Sequence, residues 1–183
     1  MIRLALYSLA GLILGGLVHV VVVLGVPFFA PRDAWTQIGD LGPTFQMTVI
    51  TPAAPGRETL PLMDPALSHA VCRFDLDAGA VRIRARLPDT YWSVALFDRS
   101  GSNVYNLNDR AAEGRPLDMV LAGFDQVAQL RETPTAASIN AILIEWPTRE
   151  GFALVRVFVP AASLAPDVDA ALTSATCEAL VLN

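Results

Sequence analysis

The chain has 183 residues, 53% of them hydrophobic and 17% charged, with a formal net charge of −5. All 13 of its basic side chains are arginine, and none is lysine. An acidic chain without basic clusters has little to offer a polyanion, which excludes nucleic-acid binding.

The apolar surplus is concentrated at the N-terminus. From Leu4 to Ala30 there is no Asp, Glu, Lys or Arg, and Asp33 is the first acid. At 1.5 Å per residue, Leu4–Val26 would span roughly 35 Å as a helix, enough for a hydrocarbon core of ~30 Å. A cleavable signal peptide is the rival reading, but its apolar stretch is normally about 7–15 residues and ends in a small-x-small site. Here the stretch is longer, Phe28-Phe29-Ala30 lacks a small residue at the required spacing, and Pro31 would follow the cut. Residues 1–30 are therefore expected to be a retained transmembrane anchor.

Arg3 and the N-terminal amine precede this helix, whereas Arg32 and Asp33 cancel after it. The positive-inside rule then favours a cytoplasmic N-terminus and an exported domain. Phe28, Phe29 and Trp35 would suit the outer interface. Within the helix, Ser8, Gly11, Gly15 and His19 share one small and polar stripe that includes a Gly-x-x-x-Gly pair. Such a stripe predicts packing against another helix, of a second copy or a partner. His19, ionisable near mid-membrane, supports that expectation. The plainer alternative is that glycine is common in membrane helices and a neutral histidine can be tolerated.

Residues 31–65 are expected to be a proline-rich connector, opening with a short juxtamembrane helix near Trp35. Pro43, Pro52, Pro55, Pro61 and Pro65, with Gly56, leave room for one short strand around Phe45–Ile50. Asp64-Pro65 reads as an N-cap followed by proline at the first helical position. That predicts a helix to about Phe74, with Leu67, Val71 and Phe74 on one face.

Residues 66–183 are expected to form the exported domain. Val81–Leu87 alternates strictly, as a half-buried strand does. Tyr91–Asp98 and Asn103–Asn108 flank Arg99-Ser100-Gly101-Ser102, a hairpin turn. Leu117–Ala122, Ser138–Trp146 and Phe152–Val159 read as further strands, Asp125–Arg131 as one or two helical turns, and Asp167 to about Leu180 as a C-terminal helix. The expected fold class is mainly β, an antiparallel sandwich or jelly-roll-like arrangement with flanking helices.

Cys72 and Cys177 are the only cysteines. An even count in an exported domain suggests a disulfide, against the alternative of two buried free thiols. The absence of lysine points to a GC-rich genome, and so to a bacterial periplasm as the oxidising compartment.

Two faces of the domain are candidates for binding. Arg82, Arg84 and Arg86 share one side of their strand and could hold phosphates or acidic sugars bidentately. The alternative is a solvated face paired with acids such as Asp75, Asp77 and Asp89. If Ser100-Gly101 is the hairpin tip, Trp92, Val94 and Leu96 face the core with Tyr105 and Leu107. The opposite face then collects Tyr91, Ser93, Asn106, Asn108 and Arg110, an aromatic-plus-amide group suited to a sugar or polar headgroup. A hydrogen-bonded network fixing the strand ends is the alternative, and a loop one residue longer would scramble the assignment.

Signatures of catalysis are few. Asn106-x-Asn108 opens like a calcium loop, but Arg110 and Ala111 stand where an oxygen ligand and glycine are needed. There is no Gly-x-Ser-x-Gly, P-loop or Gly-x-Gly-x-x-Gly, and His69 is the only histidine beyond the anchor. His69 and Cys72 do not make a metal site by themselves. Asp98 and Asp109 could serve as a carboxylate pair, although nothing distinguishes them from structural acids. No catalytic residue, metal or cofactor is expected.

The runs Leu60-Pro61-Leu62-Met63-Asp64-Pro65-Ala66, Cys72-Arg73-Phe74-Asp75-Leu76 and Tyr91-Trp92-Ser93 through Asn108-Asp109-Arg110 resemble the bacterial domain of unknown function 1254 family. The whole chain resembles its short, membrane-anchored branch, including the Arg-x-Phe-Val-Pro run at Arg156–Pro160 and the late cysteine. The resemblance implies an integral inner-membrane protein with a β-rich domain and a companion of the related family 1214. It supplies no activity and no catalytic residues. Long members join both domains in one chain, so this chain is expected to expose a surface for the second. The expected function is a non-enzymatic, inner-membrane-anchored periplasmic protein that associates with a membrane partner. The alternative is a domain that binds, or hydrolyses, a glycan or lipid headgroup.

Overall fold

The uncharged N-terminal run folds as one helix, α1 (Ile2–Phe29), in a computed structural model of the chain. The structure describes residues 2–29, 33–50, 59–60, 63–134 and 139–180, without the side chains of 27–29. The side chains of Phe28 and Phe29, together with Pro31, Pro52, Pro55, Gly56, Pro61 and Ser138, lie outside that description. Residues 1–33 and 34–183 are separate compact units.

In α1 the segment Ile2–Val26 has a mean hydropathy of 2.5 and is long and apolar enough to cross a membrane. Its large side chains are exposed, Leu4 at 74% and Val21 at 63%. Open space surrounds the position that a Cβ would take on Gly11 and on Gly15.

The second unit is a sandwich, with nine strands among the described residues. Its strands are β1 (Thr48–Ile50), β2 (Leu67–Asp75), β3 (Ala80–Ala85), β4 (Trp92–Asp98), β5 (Asn103–Asn108), β6 (Leu117–Ala122), β7 (Ile142–Glu145), β8 (Glu150–Phe158) and β9 (Thr176–Leu180). One sheet has the order β1-β2-β8-β4-β5 and the other β7-β6-β3-β9. The helices are α2 (Ala34–Gly39), α3 (Asp109–Ala112), α4 (Phe124–Glu132) and α5 (Ala165–Thr173).

Alternation along each strand builds the core. Ala70, Cys72 and Phe74 on β2, Val94 and Leu96 on β4, and Val155 and Val157 on β8 face Val81, Ile83, Met119 and Leu121 of the other sheet. Val168 and Leu172 of α5 extend that core. On the outside, α2 lays Trp35 and Ile38 over Ile50, Val71 and Phe152. Val127 and Leu130 of α4 cover Ala80, Val120 and Ala122 on the other sheet.

The expectation of a purely antiparallel arrangement needs one correction, because β7 runs parallel to β6. The connection between them passes through α4, and a helical crossover returns the chain to the end at which it started.

One expected helix, and the last part of another, are strands, and both stretches carry a cysteine. Residues 67–75 pair along their whole length with β8. Asp64-Pro65 does make the local bond expected of a cap, Asp64 Oδ1 accepting from Ala66 N at 2.9 Å, but the result is a turn into β2. An Asx-Pro turn and a helix start share that first hydrogen bond, and burial of β2 on both faces decides for the strand. At the C-terminus α5 stops at Thr173 rather than reaching Leu180. The Thr173 hydroxyl donates to the Asp169 carbonyl at 2.7 Å, and the Ser174 hydroxyl to that of Ala171 at 2.8 Å, satisfying carbonyls of the last turn. Residues 176–180 then pair with β3.

The cysteines form a disulfide, Cys72–Cys177, across 105 residues of chain. It joins β2 of one sheet to β9 of the other through the core, where both residues are buried.

Candidate functional site

The β4–β5 hairpin turns through Ser100 and Gly101 as the sequence predicts. The Asp98 carboxylate accepts from the Ser100 hydroxyl at 2.6 Å and from Ser102 N at 2.9 Å. The Ser100 bond first, then the backbone N–H groups of the turn, hold Asp98 below the usual carboxylate range. The register places Val94 opposite Leu107 and Leu96 opposite Tyr105 on the core side, with Ser93 opposite Asn108 on the outer side.

The outer face holds a row that crosses all five strands: Ile50, His69, Arg156, Ser93 and Asn108, each opposite the next. Ile50 lies under α2, and the rest of the row is polar. His69 and Ser93 are each only 6% exposed. The buried atoms His69 Nδ1, Arg156 Nε and Ser93 Oγ have no hydrogen-bond partner among the described residues. A buried polar group left without a partner costs about 1–3 kcal/mol, and such groups are few in folded proteins. Three in adjacent positions on one face therefore mark the row out.

A cavity of about 240 Å³ opens over the end of this row. Tyr91, Ser93, Asn106, Asn108 and Arg156 line it, with Leu107 and Ala111. Four of the five residues expected on this face thus meet at one pocket. Arg110 does not join them; it is exposed on α3, and Arg156 of β8 supplies the guanidinium instead.

Part of the alternative reading also holds. Asn106 and Asn103 exchange amide hydrogen bonds at 2.6 and 3.2 Å. Asn108 caps α3, its Oδ1 accepting from Ala111 N at 2.9 Å. That capping orients the Asn108 side chain and leaves its Nδ2 donors for other partners. Burial first, and the Arg156 guanidinium second, push His69 below the usual imidazole range, against a weaker opposing pull from the Leu67 backbone and Asp64.

The arginine strand divides. Arg82 makes a bidentate pair with Asp118, at 2.8 and 2.7 Å, rather than with Asp75, Asp77 or Asp89. Arg84 and Arg86 line a cavity of about 380 Å³ with Asp118 and Thr176. Arg86 also borders a space of about 710 Å³ shared with Asp89, Asp109 and Arg115. Carboxylates stand among the arginines of both spaces, so neither has a field of one sign.

His69 and Cys72 are on β2, and Cys72 is consumed by the disulfide. Among the described residues no cluster of three or more His, Cys, Asp or Glu side chains is placed to hold a metal ion. Ser8, Gly11, Gly15 and His19 lie along α1 at helical spacing.

Arg156 and His69 are the outer-face residues that sequence reasoning missed. Alternation within Phe152–Val159 puts Arg156 opposite in direction to Val155 and Val157, which was legible. That it would stand beside Ser93 was not.

The family model described as protein of unknown function (DUF1254) matches residues 46–178. The chain belongs to this family. The match covers β1–β8, the start of β9 and the candidate pocket, and it begins beyond α1 and α2. No curated protein matches the chain. Among solved structures, the VPA0106 protein from Vibrio parahaemolyticus is similar in fold, with a TM-score of 0.59 at 13% identity, over 79% of this chain and 32% of that one. An uncharacterized protein from Burkholderia cenocepacia gives a TM-score of 0.45 at 17% identity, over 74% of this chain and 35% of that one. This DUF1254 chain therefore spans about a third of the length of the solved structures it matches.

Proposed function

We propose that the protein is a non-enzymatic component of the bacterial envelope. In this reading α1 is retained as a single-pass anchor in the inner membrane, with its N-terminus in the cytoplasm. The β-domain lies in the periplasm and docks a companion protein.

The observation that carries the proposal is α1, an apolar helix long enough to cross a membrane, preceding a domain closed by a buried disulfide. The Vibrio parahaemolyticus protein contains a similar fold as 32% of a larger chain. The companion we expect is a membrane-anchored protein of the related family 1214. The buried disulfide supports an oxidising compartment, since such bonds persist outside the cytosol. The length and hydropathy of α1 support a span. Its face of Ser8, Gly11, Gly15 and His19 is where a partner helix would approach closely.

Two measurements test the reading. A C-terminal alkaline phosphatase fusion should be active, because that reporter needs export. Affinity isolation of the full chain from detergent extract should recover the co-expressed family 1214 protein in stoichiometric amount, and both Gly15→Leu and His19→Leu should reduce it. An inactive fusion would overturn the topology. A companion that never co-purifies, or that does so undiminished by either substitution, would overturn the docking role.

A further inference from the structure

The pocket on the outer face of the five-stranded sheet has a polarity that the docking role does not use. Its wall holds one guanidinium, from Arg156, and no acidic side chain. Asp109 follows Asn108 directly in sequence but borders a separate space, with Trp92. Arg156, Ser93 and Asn108 each bring a donor to the pocket. Asn108 spends its carbonyl oxygen on the α3 cap and keeps its amide N–H groups. Ser93, only 6% exposed, lines the pocket, and its buried Oγ has no partner among the described residues. Arg156 Nε is likewise buried and without one. Arginine can only donate, and its planar fork matches two oxygens of one ligand group.

A wall with one positive charge and no carboxylate to balance it favours an anion over a neutral sugar. It does not suit a cation. The volume, about 240 Å³, lies below the usual range for drug-sized ligands, so the occupant is one compact group. We propose that Arg156, Ser93 and Asn108 form a binding site for a phosphate-type oxyanion. The guanidinium would take two oxygens, while Ser93 Oγ and Asn108 Nδ2 donate to the same group. Tyr91, 48% exposed at the rim, would flank whatever the oxyanion is attached to. The same chemistry is offered by an anionic lipid headgroup and by a soluble phosphoester.

The test uses the full chain reconstituted in phosphatidylcholine nanodiscs and titrated calorimetrically with inorganic phosphate. Saturable binding at one site is expected. Arg156→Gln should weaken it at least about tenfold, as loss of a charge-assisted bidentate pair does, and Ser93→Ala should weaken it by a smaller factor. Asn108→Asp is the decisive variant. Aspartate caps a helix as well as asparagine does, so the fold is kept, while a carboxylate enters the pocket. Phosphate binding should be lost in that variant at an unchanged melting temperature. Discs containing phosphatidylglycerol separate the sources: competition with phosphate supports a lipid headgroup, and unchanged phosphate affinity supports a soluble ligand. The absence of saturable phosphate binding, or binding undiminished in Asn108→Asp, overturns the site.

Discussion

His69 on β2 and Arg156 on β8 face each other across the centre of the five-stranded sheet, and neither is ion-paired among the described residues. Burial and the neighbouring guanidinium keep the His69 pKa below its ordinary 6.5. The unfolded chain therefore binds more protons than the folded one between pH 6.5 and the lower folded value. Stability rises with pH through that window and is reduced below it. Urea midpoints measured by tryptophan fluorescence should fall between pH 7.5 and pH 5, and His69→Gln should flatten the slope. An identical slope in that variant would assign the pH dependence to other groups.

The Cys72–Cys177 bond closes a loop spanning 105 positions. On the chain-entropy model a loop of that length is worth about 4–5 kcal/mol. The double Cys72→Ser, Cys177→Ser variant, and reduced wild type equally, should lose most of that in denaturant titrations. The single variants should lose at least as much. A loss under about 1 kcal/mol would mean that the packed sheets hold the two strands together without the bond.

Gly151 on β8 is fitted to its surroundings. A Cβ there would lie 2.7 Å from Phe74 Cζ, from the Phe97 carbonyl oxygen and from Trp146 Cζ2. Phe74 and Trp146 pack edge to face at 5.2 Å, and the Phe97 carbonyl is backbone, so little can yield. Gly151→Ala should cost about 1–3 kcal/mol through overpacking. A thermal midpoint equal to wild type would show that the Phe74–Trp146 pair can move aside.

Arg82 donates two hydrogen bonds to Asp118 across β3 and β6, with side chains 18% and 23% exposed. Partial burial and bidentate geometry put the pair above a typical surface ion pair. Asp118→Ala should cost about 1–2 kcal/mol. Arg84→Ala, two residues along the same face and with no ion pair to lose among the described residues, should change stability by less than about 0.5 kcal/mol. A double-mutant cycle on Arg82 and Asp118 checks the difference.

Much of the fold was legible where the signal is local. Strict alternation in Val81–Leu87 marked β3, and the turn residues Ser100-Gly101 fixed the hairpin tip and hence which side of β4 and β5 faces the core. The uncharged run of α1 needed only composition. Leu117–Ala122 and Asn103–Asn108 coincide with β6 and β5. The errors lie at β2 and β9, where local chemistry supports two outcomes. Asp64-Pro65 forms the same first hydrogen bond in a turn as in a helix cap, and residues 167–173 are a true helix that stops early.

For the pocket, the sequence by itself determined the face: Tyr91, Ser93, Asn106 and Asn108 follow from a period of two and one turn. Only the tertiary structure decided that Arg156, and not Arg110, stands among them. Side-chain direction along a strand is set by neighbours one and two residues away, which a sequence displays. The order of strands in a sheet is set by the burial of both faces of β2 and β8, a property of the whole sandwich.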